Sequence, residues 1–193
     1  MSSPTASRPS KVTWSFTASL DGFITGPGHD MAWLEACPRM DESVVARLAA
    51  DVGVILSGRR GYDAAREQAD QRDELTAEAY GGAWKGTEII LTHRPAELAD
   101  DSAVMAWNVD VVEAVRRAKQ LAAGKDVQII SADIARQALE HGLVDELLVF
   151  SASVMLGDGT RAFEVPGGRL VEWELVGPIP GAEAAFGRIY RSR

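Results

Sequence analysis

Cysteine is almost missing from this chain: Cys37 stands alone among 193 residues. No disulfide can close within it and no cysteine-based metal cluster can form, which suits a reducing, cytoplasmic setting. Cys37 itself, followed by Pro38 with no base fixed near it in sequence, reads as a buried or incidental thiol. No apolar run approaches the roughly 18 residues of a membrane span, so no membrane partner is expected. Positive charge is in deficit, with 20 Lys and Arg against 28 Asp and Glu and a net charge of −8. Nucleic acid or an anionic membrane surface would be repelled at long range, although a local basic pocket for a small anion stays open. Histidine is sparse, at positions 29, 93 and 141 without metal-ligand spacing, and no metal is expected. No G-x-S-x-G elbow occurs, which excludes an α/β-hydrolase. Residues 81–87, GGAWKGT, lack the lysine that follows the last glycine of a P-loop. Gly157-Asp158-Gly159 is not followed by a helix, so the Rossmann fingerprint is missing too.

What is present is an ordinary globular composition, 46% hydrophobic and 25% charged. At this length folding should remove roughly 70% of the unfolded chain's surface from water, so no staples are needed. Residues 1–10 are polar and rich in Ser and Pro, without the apolar core of a signal peptide, and are expected to form a disordered tail. Residues 11–193 are expected to form a single domain.

Val12, Trp14 and Phe16 alternate with Thr13, Ser15 and Thr17, a period-two strand. Val44, Val45, Leu48 and Ala49 share a helical face within 41–51, and Val52 to Leu56 reads as a strand buried on both sides. Gly58-Arg59-Arg60-Gly61 comes next, with a polar helix expected from about Tyr62. Thr87–Thr92 and Ala103–Trp107 are further strands, and Asp110 with Glu113 has capping-box spacing before a helix. Val127–Ile130 is a strand, Asp133–His141 a helix stopped by Gly142, and Glu146–Phe150 another strand. A hairpin turning at Pro178–Gly181 closes the chain. The pattern predicts a three-layer α/β/α fold, with a mixed, mostly parallel sheet of about eight strands and a C-terminal antiparallel hairpin. In such sheets ligands sit beyond the carboxyl ends of the strands, which selects the segments after each strand.

Those segments resemble the dihydrofolate reductase-like family, including the C-terminal reductase domain of bacterial riboflavin biosynthesis. Ser19-Leu20-Asp21-Gly22-Phe23-Ile24 resembles the family's S-x-D-G-x-I, and Asp30-Met31-Ala32-Trp33-Leu34 its loop-to-helix entry. Gly58-Arg59-Arg60-Gly61-Tyr62 resembles G-R-x-T-[YF], and Thr92-His93-Arg94-Pro95 the strand end that faces the adenosine part of NADPH. Ala132 to Gln137 with Gly142-Leu143-Val144-Asp145-Glu146 resembles the helix and G-L-[VI]-D-E strand entry, and Leu156-Gly157-Asp158-Gly159 with Phe163 the L-G-x-G loop. The resemblance implies a dihydrofolate reductase-like fold and an NADPH-dependent reductase of a small heterocycle, pterin- or pyrimidine-like. It implies a homodimer as well, to which the apolar C-terminal residues Trp173, Phe186 and Tyr190 add support. It places Asp21 at the catalytic or substrate-orienting position, with Phe23, Asp30 and Trp33 towards the substrate. Cofactor contacts would come from Gly58, Arg59, Arg60, Thr92, Arg94, Ser131, Ala132, Asp133, Ile134, Ala135, Leu156 and Gly157.

The residues alone leave alternatives open. Asp21-Gly22 is also an ordinary turn pair, Trp33 an ordinary core residue, and the arginines could be surface side chains paired with acids. Two positions depart from the family pattern. Ile130-Ser131 stands where the family carries Gly-Gly, and Gly61 replaces the threonine of G-R-x-T. Both fall on the cofactor side, so a non-redox enzyme or a small-molecule binding protein on the same fold is the alternative.

Overall fold

The computed structural model describes residues 9–71 and 79–193; residues 1–8, most of the expected tail, lie outside them. Among the described residues, ten strands and four α-helices follow in chain order: β1 (Val12–Ala18), β2 (Phe23–Thr25), α1 (Glu42–Ala50), β3 (Val52–Gly58), α2 (Arg59–Gln71), β4 (Thr87–Leu91), β5 (Val104–Trp107), α3 (Val111–Leu121), β6 (Asp126–Ile129), α4 (Ala132–Glu140), β7 (Glu146–Ser151), β8 (Thr160–Arg161), β9 (Trp173–Pro178) and β10 (Arg188–Ser192). Eight form one sheet in the order β5-β4-β3-β6-β1-β7-β10-β9, and β2 and β8 form a separate ribbon. Strands from β5 across to β7 run parallel, whereas β10 is antiparallel to both β7 and β9. The dihydrofolate reductase-like α/β expectation therefore holds, final hairpin included. No helix of the described residues is long and apolar enough to cross a membrane.

Helices cover both faces. Val111, Val115 and Ala118 of α3, with Ile134, Ala135 and Ala138 of α4, pack on Val12, Trp14, Leu56, Ile89 and Ile129. Val44 of α1 packs with Phe150 and Ile179, and Tyr62 of α2 with Ile90 and Leu98. Ile89 and Ile90 are neighbours on one strand yet belong to different clusters, so α1 and α2 lie on the face opposite α3 and α4. This layering corrects the period-two reading of the first strand. Thr13 is buried along with Val12 and Trp14, because β1 lies in the middle of the sheet with helices on both sides.

Two local readings also change. The helix expected near Tyr62 begins at Arg59, directly after Gly58, so strand and helix abut without a loop. Asp110 does cap α3 by accepting from the Glu113 amide at 2.8 Å. The Glu113 carboxylate, however, does not reach back: it takes Arg116 and Arg117 at 2.7 and 2.5 Å instead. Two guanidiniums one turn further on outcompete a single amide for the carboxylate.

Candidate functional site at the carboxyl rim of the sheet

Strand order decides where the site lies. From β3 the chain moves outward to β4, whereas from β6 it moves back across β1 to β7, so the segments leaving β3 and β6 diverge. Diverging connections open a crevice between adjacent strand ends, the usual ligand position in such sheets. Gly58 ends β3 on one side of it, and Ile130-Ser131 follows β6 on the other. The two walls touch. A Cβ added to Gly58 would lie 2.8 Å from Ser131 Oγ, so Ser131's hydroxyl occupies the space that Gly58 leaves empty. That hydroxyl also caps α4 by accepting from the Ile134 amide at 3.5 Å. Ile130 stands 45% exposed on the rim.

The predicted cofactor segment at α4 contributes backbone rather than side chains. Ile134 and Ala135 are buried in the core, and the Asp133 carboxylate is taken by Arg136 and Gln137 at 3.0 and 2.9 Å. The Ala135 amide bonds the Ser131 carbonyl at 2.9 Å, which leaves the amides of Ala132 and Asp133 at the positive end of the helix.

On the outer side of the crevice two predicted arginines meet. Arg59 Nη1 lies 3.0 Å from Glu97 Oε2, and Arg94 Nη1 lies 2.9 Å from Glu97 Oε1. Arg59 Nε donates in addition to Asp63 at 2.8 Å, and these acids raise the Arg59 pKa, Asp63 most of all. The paired-arginine alternative thus describes Arg59 and Arg94, although they pair with the same carboxylate rather than pointing apart. Thr92 turns its hydroxyl to the Arg94 amide at 3.1 Å, and Arg60 is exposed at the rim.

Beyond the crevice, past β1, Asp21 fastens two loops together. Its carboxylate accepts from the Ser19 hydroxyl at 2.6 Å, the Leu156 amide at 3.1 Å and the Gly157 amide at 2.7 Å. The Ser19 hydroxyl, then the Gly157 amide, hold the Asp21 pKa down to about 2. Gly22 beside it has φ +88°, a conformation that side-chain-bearing residues rarely adopt, so the glycine of this turn is required. Asp21 is therefore an ionised clamp near neutral pH. Leu156 and Gly157, predicted as cofactor contacts, serve as its partners. Phe23 is buried, with the Arg161 guanidinium 4.4 Å above its ring and Arg161 Nη1 3.2 Å from the Asp21 carbonyl.

The loop from 27 to 36 is held over α2 by Gln68, which accepts from the Met31 amide at 3.0 Å and donates to the His29 carbonyl at 2.9 Å. Asp30 caps the short turn by accepting from the Ala32 amide. Trp33 Nε1 is buried without a hydrogen-bond partner among the described residues. A buried donor left unpaired costs about 1–3 kcal/mol, so this indole suits an acceptor brought by a ligand or water. A cavity of about 80 Å³ lies at the carboxyl ends of β1 and β7, lined by Thr17, Cys37, Met40, Phe150 and Ser151. Burial raises the pKa of the Cys37 thiol, in keeping with an inert side chain. A larger cleft of about 530 Å³, with Trp84, Lys85 and Lys125, opens at the amino ends of β3 and β4. It lies at the opposite edge of the sheet, away from every residue above.

Four rim residues escaped the sequence reading. Leu20 and Met155 stand 67% and 73% exposed beside the Asp21 clamp, and nothing in a local window marks them. Arg161 and Glu97 were missed as well, although the spacing of Arg94 and Glu97 three residues apart is a usable charge signal.

Sheet order, the two helix layers and the rim define a dihydrofolate reductase-like α/β domain. The chain belongs to the RibD C-terminal domain family, whose pattern matches residues 10–178. Among solved structures, a protein assigned to riboflavin biosynthesis from Shewanella sp. PV-4 superimposes with a TM-score of 0.72 at 17% identity, covering 95% of this chain and 99% of that one. A diaminohydroxyphosphoribosylaminopyrimidine deaminase/5-amino-6-(5-phosphoribosylamino)uracil reductase from Thermotoga maritima gives 0.61 at 12% identity, covering 96% of this chain and 57% of that one. Dihydrofolate reductase from Enterococcus faecalis, complexed with NADP(H), gives 0.56 at 17% identity, with 94% and 95% covered. No curated protein sequence matches the chain.

Proposed function

We propose that this protein is an NADPH-dependent reductase of a small pterin- or pyrimidine-like heterocycle. Family membership supports the reductase class, and the activities named for the similar structures support the substrate class. The observation that carries the cofactor is the meeting of Arg59 and Arg94 on one carboxylate, 3.0 and 2.9 Å away. Glu97 stands in for an anion there, so the rim has the geometry to hold oxygens of a phosphate. Arg59, Arg94 and Thr92 would hold the adenosine end, and the Ala132 and Asp133 amides the pyrophosphate, as helix N-termini do. Bound in that place, the dinucleotide would supply a hydride to a C=N or C=O bond.

The chain's own residues orient the substrate. Asp21, with its pKa about 2, cannot donate a proton near neutral pH, so it shapes the 156–159 loop and fixes the pocket wall. The proton then comes from water or from the substrate's own acid groups. Leu20 and Met155 offer apolar faces to a flat ring, and the Trp33 indole a hydrogen bond.

NADPH titration tests the proposal. At 100 times the dissociation constant, binding should stabilise the fold by about 2.7 kcal/mol and quench tryptophan fluorescence. Millimolar NADPH that changes neither signal refutes it. One observation favours the second reading, a non-redox enzyme or binding protein: Ser131 fills the space above Gly58 where a backbone would otherwise approach the ligand.

A homodimer formed through the hairpin edge belongs to the same proposal. Leu175 and Val176 on the edge strand β9 and Phe186 before β10 are 58%, 47% and 52% exposed, and such edges are ordinarily covered. A monomer mass by sedimentation at micromolar concentration removes this part.

A further inference from the structure

The arginine pair is already neutralised. Arg59 and Arg94 contribute two positive charges, and Asp63 and Glu97 cancel both through contacts of 2.8 to 3.0 Å. Each Glu97 oxygen is taken by a different arginine, and the carboxylate sits between them as a ligand oxoanion would. Among the described residues, Asp63 is held by Arg59 Nε, which leaves Nη1 to Glu97. Glu97 is thus the acid that competes for the shared face. Its side chain is 42% exposed and that of Arg94 69%, so these pairs are weak and the carboxylate can swing away. Its charge stays nearby when it does.

A dinucleotide with its pyrophosphate at the crevice between β3 and β6 would bring its adenosine ribose towards this point, since β4, the next strand outward, leads into the segment that carries Arg94 and Glu97. Where nucleotide sites discriminate at that ribose, a carboxylate accepts a hydrogen bond from the 2′-hydroxyl and an arginine donates to the 2′-phosphate. This rim holds both groups, locked together.

We propose that Glu97 is a specificity-determining residue that weakens binding of a phosphate monoester at Arg59 and Arg94, and so narrows the preference for NADPH over NADH. The inference rests on the dinucleotide reading above and adds to it the residue that limits cofactor choice.

The test titrates wild-type protein and the Glu97→Gln variant with NADPH, NADH and adenosine 2′-monophosphate by calorimetry. Glu97→Gln keeps the size of the side chain and removes its charge; Glu97→Ala serves the same comparison if the first variant folds poorly. Affinity for NADPH and for adenosine 2′-monophosphate should rise about tenfold, while NADH changes less than about twofold. Adding Arg94→Ala to Glu97→Gln should abolish the gain, which a merely structural role of Glu97 would not require. Equal or weaker binding of both phosphorylated ligands by the variant overturns the proposal. A gain as large for NADH as for NADPH overturns it too. If neither protein binds either dinucleotide, the reductase reading falls, and adenosine 2′-monophosphate alone then decides for or against Glu97.

Discussion

Replacing Gly58 with Ala probes the contact on which the crevice is built. The added Cβ would lie 2.8 Å from Ser131 Oγ, 3.5 Å from Ser131 Cβ and 3.7 Å from Ile134 Cγ1. Only the first distance is too short, so the hydroxyl must rotate away, and with it goes the cap on the Ile134 amide. Losing a serine cap costs about 1 kcal/mol, and an off-rotamer side chain about 0.5–1.5. Alanine in place of glycine at a strand end returns about 0.5–1 kcal/mol of backbone entropy. The net expectation is a loss of about 1 kcal/mol, or roughly 2–4 °C in Tm for a chain of this size. Ser131→Ala alone should cost about 1 kcal/mol through the cap. In that background the oxygen is gone, the remaining contact of 3.5 Å is ordinary, and Gly58→Ala becomes neutral or mildly stabilising. The double-mutant cycle, measured by urea unfolding, should show a coupling of about 1–2 kcal/mol. Additivity within about 0.5 kcal/mol, or a Gly58→Ala variant more stable than wild type, refutes the placement of Ser131 over Gly58.

Asp21→Asn should destabilise the protein at neutral pH by weakening the clamp on Leu156 and Gly157. Since the folded pKa is depressed to about 2, wild type's advantage should be full above about pH 3.8 and fade as pH falls towards 2. Unfolding free energies that converge well above pH 4 would contradict this. Glu88 has the opposite sign: burial raises its pKa above 4.5 although the Ser57 hydroxyl, 2.8 Å away, opposes the rise. Its contribution is full below 4.5 and lost as pH climbs through the raised value, so Glu88→Gln should remove that decline and match or exceed wild type at neutral pH. A variant less stable than wild type at neutral pH, measured by denaturant titration, would count against it.

Much of the architecture was legible because it is local. Apolar runs such as 52–56, the Asp110 cap and Gly142 after α4 act within a few residues, and local sterics and hydrogen bonding decide them. Errors arose where distant strands intervened. Thr13 read as the polar alternate of Val12 and Trp14 in a period-two strand, but β6 and β7 enclose β1, the helices cover both faces, and Thr13 is buried. The site followed the same division. Asp21, Gly58, Arg59, Arg94 and Ser131 were found because each follows a strand read from the sequence and stands in a segment that resembles the family. That Asp21 binds Leu156 and Gly157, 135 and 136 residues away, was not available to any local pattern.

Sequence alone determined the composition of the rim: which side chains end each strand, that arginines gather there on an acidic chain, and that serine stands where the family has glycine. Periodicity and turn chemistry are short-range, so they reach this far. Tertiary structure decided the state of those groups. It brought Glu97 against Arg59 across 38 residues, set Ser131's hydroxyl over Gly58 and turned Asp21 from a free carboxylate into a clamp. Charge and hydrogen-bonding capacity belong to the residue, but the partner that uses them is fixed only when the sheet assembles.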